Sequence, residues 1–438
     1  MGFLKGLSMT ASISFLVLTA GCAHSTAPEA VAVALAPTLT SSSPIGTAAP
    51  TLDFPFVTGV GIGSETTVAS GTANANVQTG KPSLMQLPYA ASFLSAAGPR
   101  APRIVLVSFS QQKDSRSSPE LLRTERSVDG AKTFTQLKTG VPVNSMTQLA
   151  DGSLLAVDFR TSKSGTALQP TAKHLTTTFW RSHDYGATWV KQHGTITAGS
   201  AYDVVYFQRG IVAGRDGSLL ATTYGCPHGQ TKYQSMLARS TDGGVTWRIV
   251  STIAKVPAGR TTKDMSEPTM ARAADGDLVV VMRQSAPINR NVCNGAWQGA
   301  GLVITRSSDD GTTWMPTRPL AGVGLDVHNV SSADPSLTRM SEGQLILSYG
   351  RPGNRILVSK DGNGKTWGNM TLTDSAVSSG YTSIVPLTET TALQVGDHGS
   401  NWCFPVGSGL HKVGIWARTI VLRDADSALG SGPRTPSP

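Results

Sequence analysis

Five copies of one short phrase run along this chain: Ser127 to Phe134, Ser182 to Trp189, Ser240 to Trp247, Ser307 to Trp314 and Ser359 to Trp367. In the form S-x-D-x-G-x-T-W, with Asp129, Asp184, Asp242, Asp309 and Asp361 in third place, the phrase describes a hairpin turn. Ser and Asp oxygens accept turn amides, Gly supplies the positive-φ position, and Trp packs beneath the strands. The Asp-to-Asp intervals of 55, 58, 67 and 52 residues each hold about four strands of ordinary length with their turns. Repetition at this period predicts an all-β fold, a six-bladed β-propeller of four-stranded antiparallel blades.

A second repeat runs in phase with the first. Asp151-Gly-Ser-Leu-Leu, Asp216-Gly-Ser-Leu-Leu, Asp275-Gly-Asp-Leu-Val and Glu342-Gly-Gln-Leu-Ile read as tight turns between the inner two strands of successive blades. The first blade has a longer insertion around Ser95 to Pro102, and the sixth has Thr388-Glu389 at this place and lacks the Asp phrase. Six units fit between about residue 75 and residue 423, with the segment near 51–75 expected to supply the strand that closes the ring.

The ends of the chain read differently. Lys5 and an apolar run ending at Ala20-Gly21-Cys22 have the form of an export signal, residues 1–21, with Cys22 as a lipidation site at the new N-terminus. The run is too short to remain as a membrane span. Residues 22–50, rich in Ala, Ser, Thr and Pro, read as a flexible tether, 51–425 as the propeller, and 426–438 as a disordered tail. The expected location is outside the cytoplasm, at a membrane face through the lipid anchor. Cys226, Cys293 and Cys403 would allow one disulfide and leave one thiol. The net charge of +9 is spread along the chain, which speaks against a nucleic-acid stripe and suits an anionic sugar. No cofactor motif, metal-ligand spacing or protein partner is predicted.

The phase of the repeats locates a site. Eight residues before the turn acid stand Glu267 and Asp334, and Lys81 and Tyr381 hold the matching places in the first and last blades. Each begins an innermost strand. At the far end of the next strand stand Asp158 and Arg160, then Tyr224, Arg283, Arg351 and Asp397. Strand direction alternates, so both columns reach one face of the disc. The predicted pocket is lined by Lys81, Glu267, Arg283, Asp334, Arg351, Tyr381 and Asp397.

The repeated phrase resembles the Asp-box, or BNR repeat, of the sialidase superfamily. Three copies match throughout; the first has Ala131 for Gly and Phe134 for Trp, and the last carries one inserted residue. The segment from Glu267 to Arg283, and Tyr381 following the Ser359 box, are similar to the site-bearing stretches of that family. The resemblance implies Tyr381 as nucleophile, Glu267 as its base, and Asp114 in a polar loop as acid to the leaving oxygen. Arg283 and Arg351, with Arg355 as the other candidate, would grip a sugar carboxylate. A phenol suits such a substrate, because the carboxylate beside the anomeric carbon repels an anionic nucleophile. The chain departs from the family at Lys81-Pro-Ser-Leu, where an Arg-Ile-Pro phrase is usual, and at Val-Gly-Asp397-His398, where a Tyr-Glu phrase is common. The implied activity is retaining exo-hydrolysis of terminal acidic sugars, α-sialosides first. A hydrolase or lyase for uronic-acid polysaccharides and a non-catalytic glycan-binding propeller are the alternatives.

Overall fold

The computed structural model describes residues 57–74, 85–111, 122–163, 174–199, 202–230, 232–256, 264–285, 301–320, 333–350, 353–359, 361–376, 378–398 and 410–424. Every helix-or-strand element among them is a strand. After β1 (Val57–Asn74) comes an antiparallel meander of β2 (Gln86–Phe93), β3 (Ile104–Ser110), β4 (Leu122–Ser127) and β5 (Thr135–Gln136). The next is built from β6 (Met146–Gln148), β7 (Leu154–Val157), β8 (Ser162–Lys163), β9 (His174–Ser182) and β10 (Val190–Thr197). A third contains β11 (Tyr202–Ala213), β12 (Leu219–Pro227), β13 (Gln234–Ser240) and β14 (Thr246–Ala254). Then follow β15 (Asp264–Arg272), β16 (Leu278–Ser285), β17 (Leu302–Ser307) and β18 (Arg318–Pro319), and after them β19 (Ala333–Arg339), β20 (Leu345–Gly350), β21 (Asn354–Ser359) and β22 (Trp367–Asp374). The last sheet has β23 (Ser383–Pro386), β24 (Thr391–His398) and β25 (Leu410–Asp424), with β1 from the other end of the chain added against β25.

The arrangement is propeller-like, but the expectation of six separate blades needs correction. Four sheets of four strands stand alone, and the strands from β6 to β14 form one nine-stranded sheet. The merger is a short parallel pairing of β10 with β14. Gly194 on β10 permits it: a Cβ there would lie 2.0 Å from the Val245 carbonyl oxygen, and Thr195 N–H donates to that same carbonyl. The inner strands β2, β6, β11, β15, β19 and β23 each pack on the next, and β23 packs back on β2.

Burial falls from axis to rim, as expected for sheets sandwiched face to face. The second strands β3, β7 and β20 are buried along their whole length, whereas β5 and β18 at the rim are exposed. The apolar clusters lie between neighbouring sheets and between the two halves of the nine-stranded one. Leu155, Val157 and Phe179 pack on Phe207, Met236 and Trp247, and Val105, Val107 and Phe109 pack on Val395 and Ile415, joining first sheet to last.

The repeated phrases fold as local hydrogen-bond cages. In the third copy Ser240 Oγ donates to Asp242 Oδ1 (2.8 Å) and accepts Gly244 N–H (2.8 Å). Asp242 also accepts Thr246 N–H and the Thr246 hydroxyl (2.5 Å). Trp247 Nε1–H returns to the Gly244 carbonyl at 2.9 Å. Burial alone would raise the carboxyls of Asp129 and Asp184, but hydrogen bonds from Thr133 and Thr188 and from the box serines hold both at about 2. The box glycine is fixed twice over. Gly311 has φ +86, and a Cβ on it would stand 2.1 Å from Leu237 of the preceding sheet. Cys226 is disulfide-bonded.

Candidate active site

Four of the inner strands break register where they bear the site. The ladders slip between Gln86 and Tyr89, between Phe207 and Ile211, between Ser266 and Thr269, and between Ala333 and Ser336. Inside these bulges Leu87, Arg209, Glu267 and Asp334 take positive φ (59°, 28°, 51° and 43°). Non-glycine residues adopt that region at a cost of about 1–3 kcal/mol, and a bulge re-aims the side chain it carries. The bulges turn Glu267, Asp334 and Arg209 toward the axis. In the first sheet the matching place is Leu87-Pro88, downstream of the Lys81-Pro82 that sequence phase put there.

Glu267 is the hub. Tyr381, just upstream of β23, donates its hydroxyl to Glu267 Oε1 at 2.6 Å. Arg283 on β16, register partner of Ser266, places Nη1 3.3 and 3.4 Å from the two carboxylate oxygens. The backbone N–H of Asp334 donates to Oε2 at 3.0 Å. Tyr381 is 4% and Glu267 5% exposed, so this network works where water screens little. Burial would lower the Arg283 pKa, but the charges of Glu267, Tyr381 and Asp334 outweigh it and raise it. A guanidinium fixed as a cation therefore sits beside a phenol whose proton is already pointed at a carboxylate. Such a pair can act as a nucleophile with its base.

Behind the hub lies a second buried layer that phase reasoning passed over. Asp334, 0% exposed, accepts from Gln208 Nε2 and from Arg209 Nη2 (2.5 Å). Arg209 also donates to the Thr382 carbonyl and to Ser383 Oγ, both at 2.7 Å, and lies over the Tyr89 ring at 4.5 Å. The same eight-residue step, taken back from Asp216, lands on Gln208. Asp334 faces this cation and not an open pocket. Asp397 is likewise fully buried, its oxygens taking Ser379 Oγ–H (2.6 Å) and Ser379 N–H (2.9 Å). Lys81, Asp114, Arg351 and Cys22 lie outside the described residues. Arg355 is half-buried on β21, opposite Tyr349.

On the same face, Tyr206 stacks on Tyr224 (5.0 Å), and Phe159 and Tyr233 close the cluster at 4.9 and 5.4 Å from Tyr206 and Tyr224 respectively. Tyr233 N–H donates to Asp264 at 3.0 Å; burial pushes the Asp264 carboxyl up, against the pull of Tyr233, Lys232 and Arg283. A cavity of about 390 Å³ occupies the other end of the axis, lined by Phe93, Met146, Thr338 and Pro386 among others. Neither Tyr381 nor Glu267 reaches it. The buried Arg209–Asp334 pair lies between the two ends, with Arg209 reaching the wall of this cavity. Near the rim, Arg418 Nη2 stands 2.9 Å from Glu65 and 3.2 Å from Asp374, beside His398, and fills the place a cation would take among these acids.

The family model for the BNR repeat-like domain matches residues 100–395. This chain belongs to that family. No curated protein sequence matches this BNR repeat-like chain. Solved structures share its fold. An alpha-L-arabinanase of Penicillium chrysogenum, complexed with arabinobiose, aligns with TM-score 0.55 and 12% identity over 82% of this chain and 98% of its own. The intramolecular trans-sialidase of Ruminococcus gnavus, in complex with oseltamivir carboxylate, aligns with TM-score 0.50 and 14% identity over 84% and 99%. A Dyadobacter fermentans protein of unknown function gives 0.55 and 17% over 82% and 99%. Likeness at these identities speaks for the fold.

Proposed function

We propose that this BNR repeat-like protein is an exo-glycosidase that releases terminal acidic sugars, α-sialosides first, with retention. The observation that carries the proposal is the 2.6 Å hydrogen bond from Tyr381 to Glu267 with Arg283 beside it. Tyr381 Oη attacks the anomeric carbon as its proton passes to Glu267. The glycosidic bond breaks, and the leaving oxygen takes a proton from Asp114. Water, deprotonated by Asp114, then cleaves the glycosyl-tyrosine bond, and Glu267 returns its proton to the phenolate. Arg283, Arg351 and Lys81 are assigned to the substrate carboxylate, Arg351 as a bidentate fork.

The nine-stranded sheet is taken as two blades joined at β10 and β14, which makes the ring six-bladed. In this reading the chain is exported and held at a membrane face by a lipid anchor on Cys22, facing the periplasm or the cell exterior.

A neutral α-L-arabinoside is the second reading, favoured by the shared fold of the arabinanase and by Arg283 being already engaged by Glu267. Aryl α-sialoside, α-L-arabinofuranoside and uronide substrates, tested side by side with proton NMR of the first-formed anomer, separate these cases. Release of α-sialic acid supports the proposal. Turnover of the arabinofuranoside alone would replace it, and inversion would remove Tyr381 as nucleophile.

A further inference from the structure

The loop that carries Tyr381 joins β22 to β23, and two consecutive residues at the end of β24 hold it at its two ends. Side chains of neighbouring strand residues point to opposite faces. Asp397 therefore reaches inward to Ser379, while His398 reaches outward, its Nε2 2.9 Å from Asp374 Oδ2. Asp374 Oδ1 in turn accepts Ala376 N–H at 2.6 Å. Ser379, itself 0% exposed, is the crossing point of the inner strap. It donates to Asp397, and its Oγ accepts Tyr381 N–H (3.2 Å) and Leu87 N–H of β2 (3.4 Å). The turn between them is closed by Gly380 at φ +77. Its carbonyl is pressed against β20: a Cβ on Gly350 would come within 1.9 Å of it.

We propose that Asp397 and Ser379 are positioning residues for Tyr381, fixing the backbone from which the phenol reaches Glu267. The inference rests on Tyr381 acting as nucleophile. Neither residue touches the phenol, so neither supplies chemistry. What they supply is placement, and an ångström of misplacement costs on the order of a hundredfold in rate. Both oxygens of this buried carboxylate serve Ser379, which lies two residues from Tyr381.

The test compares Ser379→Ala and Asp397→Asn with the full-length protein. Each variant is expected to lose about tenfold or more in kcat, with KM changed by less than about threefold. The double variant should lose little more than the worse single one, since both act by one route. A residue that merely supports the fold would lower Tm and the folded fraction, with kcat per folded molecule preserved, and that result would overturn the proposal. A second readout needs no turnover. With 3-fluorotyrosine at position 381, the fluorine resonance should shift or broaden in both variants, and an unmoved resonance would overturn the proposal independently. If the unmodified protein cleaves no glycoside, the functional reading fails, but the fluorine spectra still decide the positioning. If Ser379→Ala does not fold, Asp397→Asn, which keeps the volume, carries both measurements.

Discussion

Tyr381 and Glu267 lie 114 residues apart in sequence and meet through a 2.6 Å hydrogen bond, phenol to carboxylate. Their meeting depends on the bulge at Glu267, whose φ of +51° swings the carboxylate inward from β15. Glu267→Gln keeps the shape but cannot take the phenol proton. Its kcat should fall by roughly 10²–10⁴, and Tm should fall as well, because the amide leaves the Arg283 guanidinium without its anionic partner. Steady-state kinetics with thermal unfolding check both halves.

The Asp-boxes hold the scaffold and not the chemistry. Asp242→Ala removes the acceptor of the Ser240 and Thr246 hydroxyls and of two turn amides. At this exposed site the loss should be roughly 1 kcal/mol, seen as a lower denaturation midpoint. Turnover per folded molecule should stay within about twofold.

Gly311→Ala is the sharper structural change. Its Cβ must displace Leu237 from 2.1 Å while holding φ +86, which should cost about 1–3 kcal/mol. Gly152→Ala carries a similar φ of +83 but meets nothing within 4 Å, so it should cost less. Urea titrations of the two variants separate clash from backbone strain.

Stability should depend on pH through His398. Its hydrogen bond to Asp374 raises its pKa, against burial and with help from the charges of Asp374, Glu65 and Asp397; Arg418 stands against the same acids. A raised folded pKa means the stabilisation is full below the unfolded value of 6.5 and is lost as pH rises through the folded one. Asp374 works in the opposite sense. Burial is outweighed by His398, the Ala376 amide and Arg418, its pKa is lowered, and its contribution is lost as acid reaches that lowered value. Tm should therefore decline as pH rises above 6.5 and through the raised folded value of His398, and His398→Gln should flatten that slope. An unchanged slope in the variant would contradict this assignment.

The boxes were legible in the sequence because their bonds close within a few residues, from Ser240 to Trp247. Repeat phase also carried Glu267, Arg283 and Tyr381 to one face. Phase could not show where strands bulge, so Lys81-Pro82 was aligned where the register slip puts Leu87-Pro88. Nor could it show which way an acid faces. Asp334 and Asp397 stand in the right columns, yet one is turned to Arg209 and the other to Ser379. The joining of β10 to β14 was hidden for another reason. It depends on the missing side chain of Gly194 against Val245, a contact between strands far apart in sequence that no local pattern announces.

The most direct test of Tyr381 as nucleophile is to trap the glycosyl-enzyme with a fluorinated glycosyl fluoride of the sugar it turns over and to map the adduct by peptide mass spectrometry. The account predicts one adduct on Tyr381 in the unmodified protein, and neither adduct nor turnover in Tyr381→Phe. An adduct on another residue, or turnover by Tyr381→Phe at the unmodified rate, would contradict it.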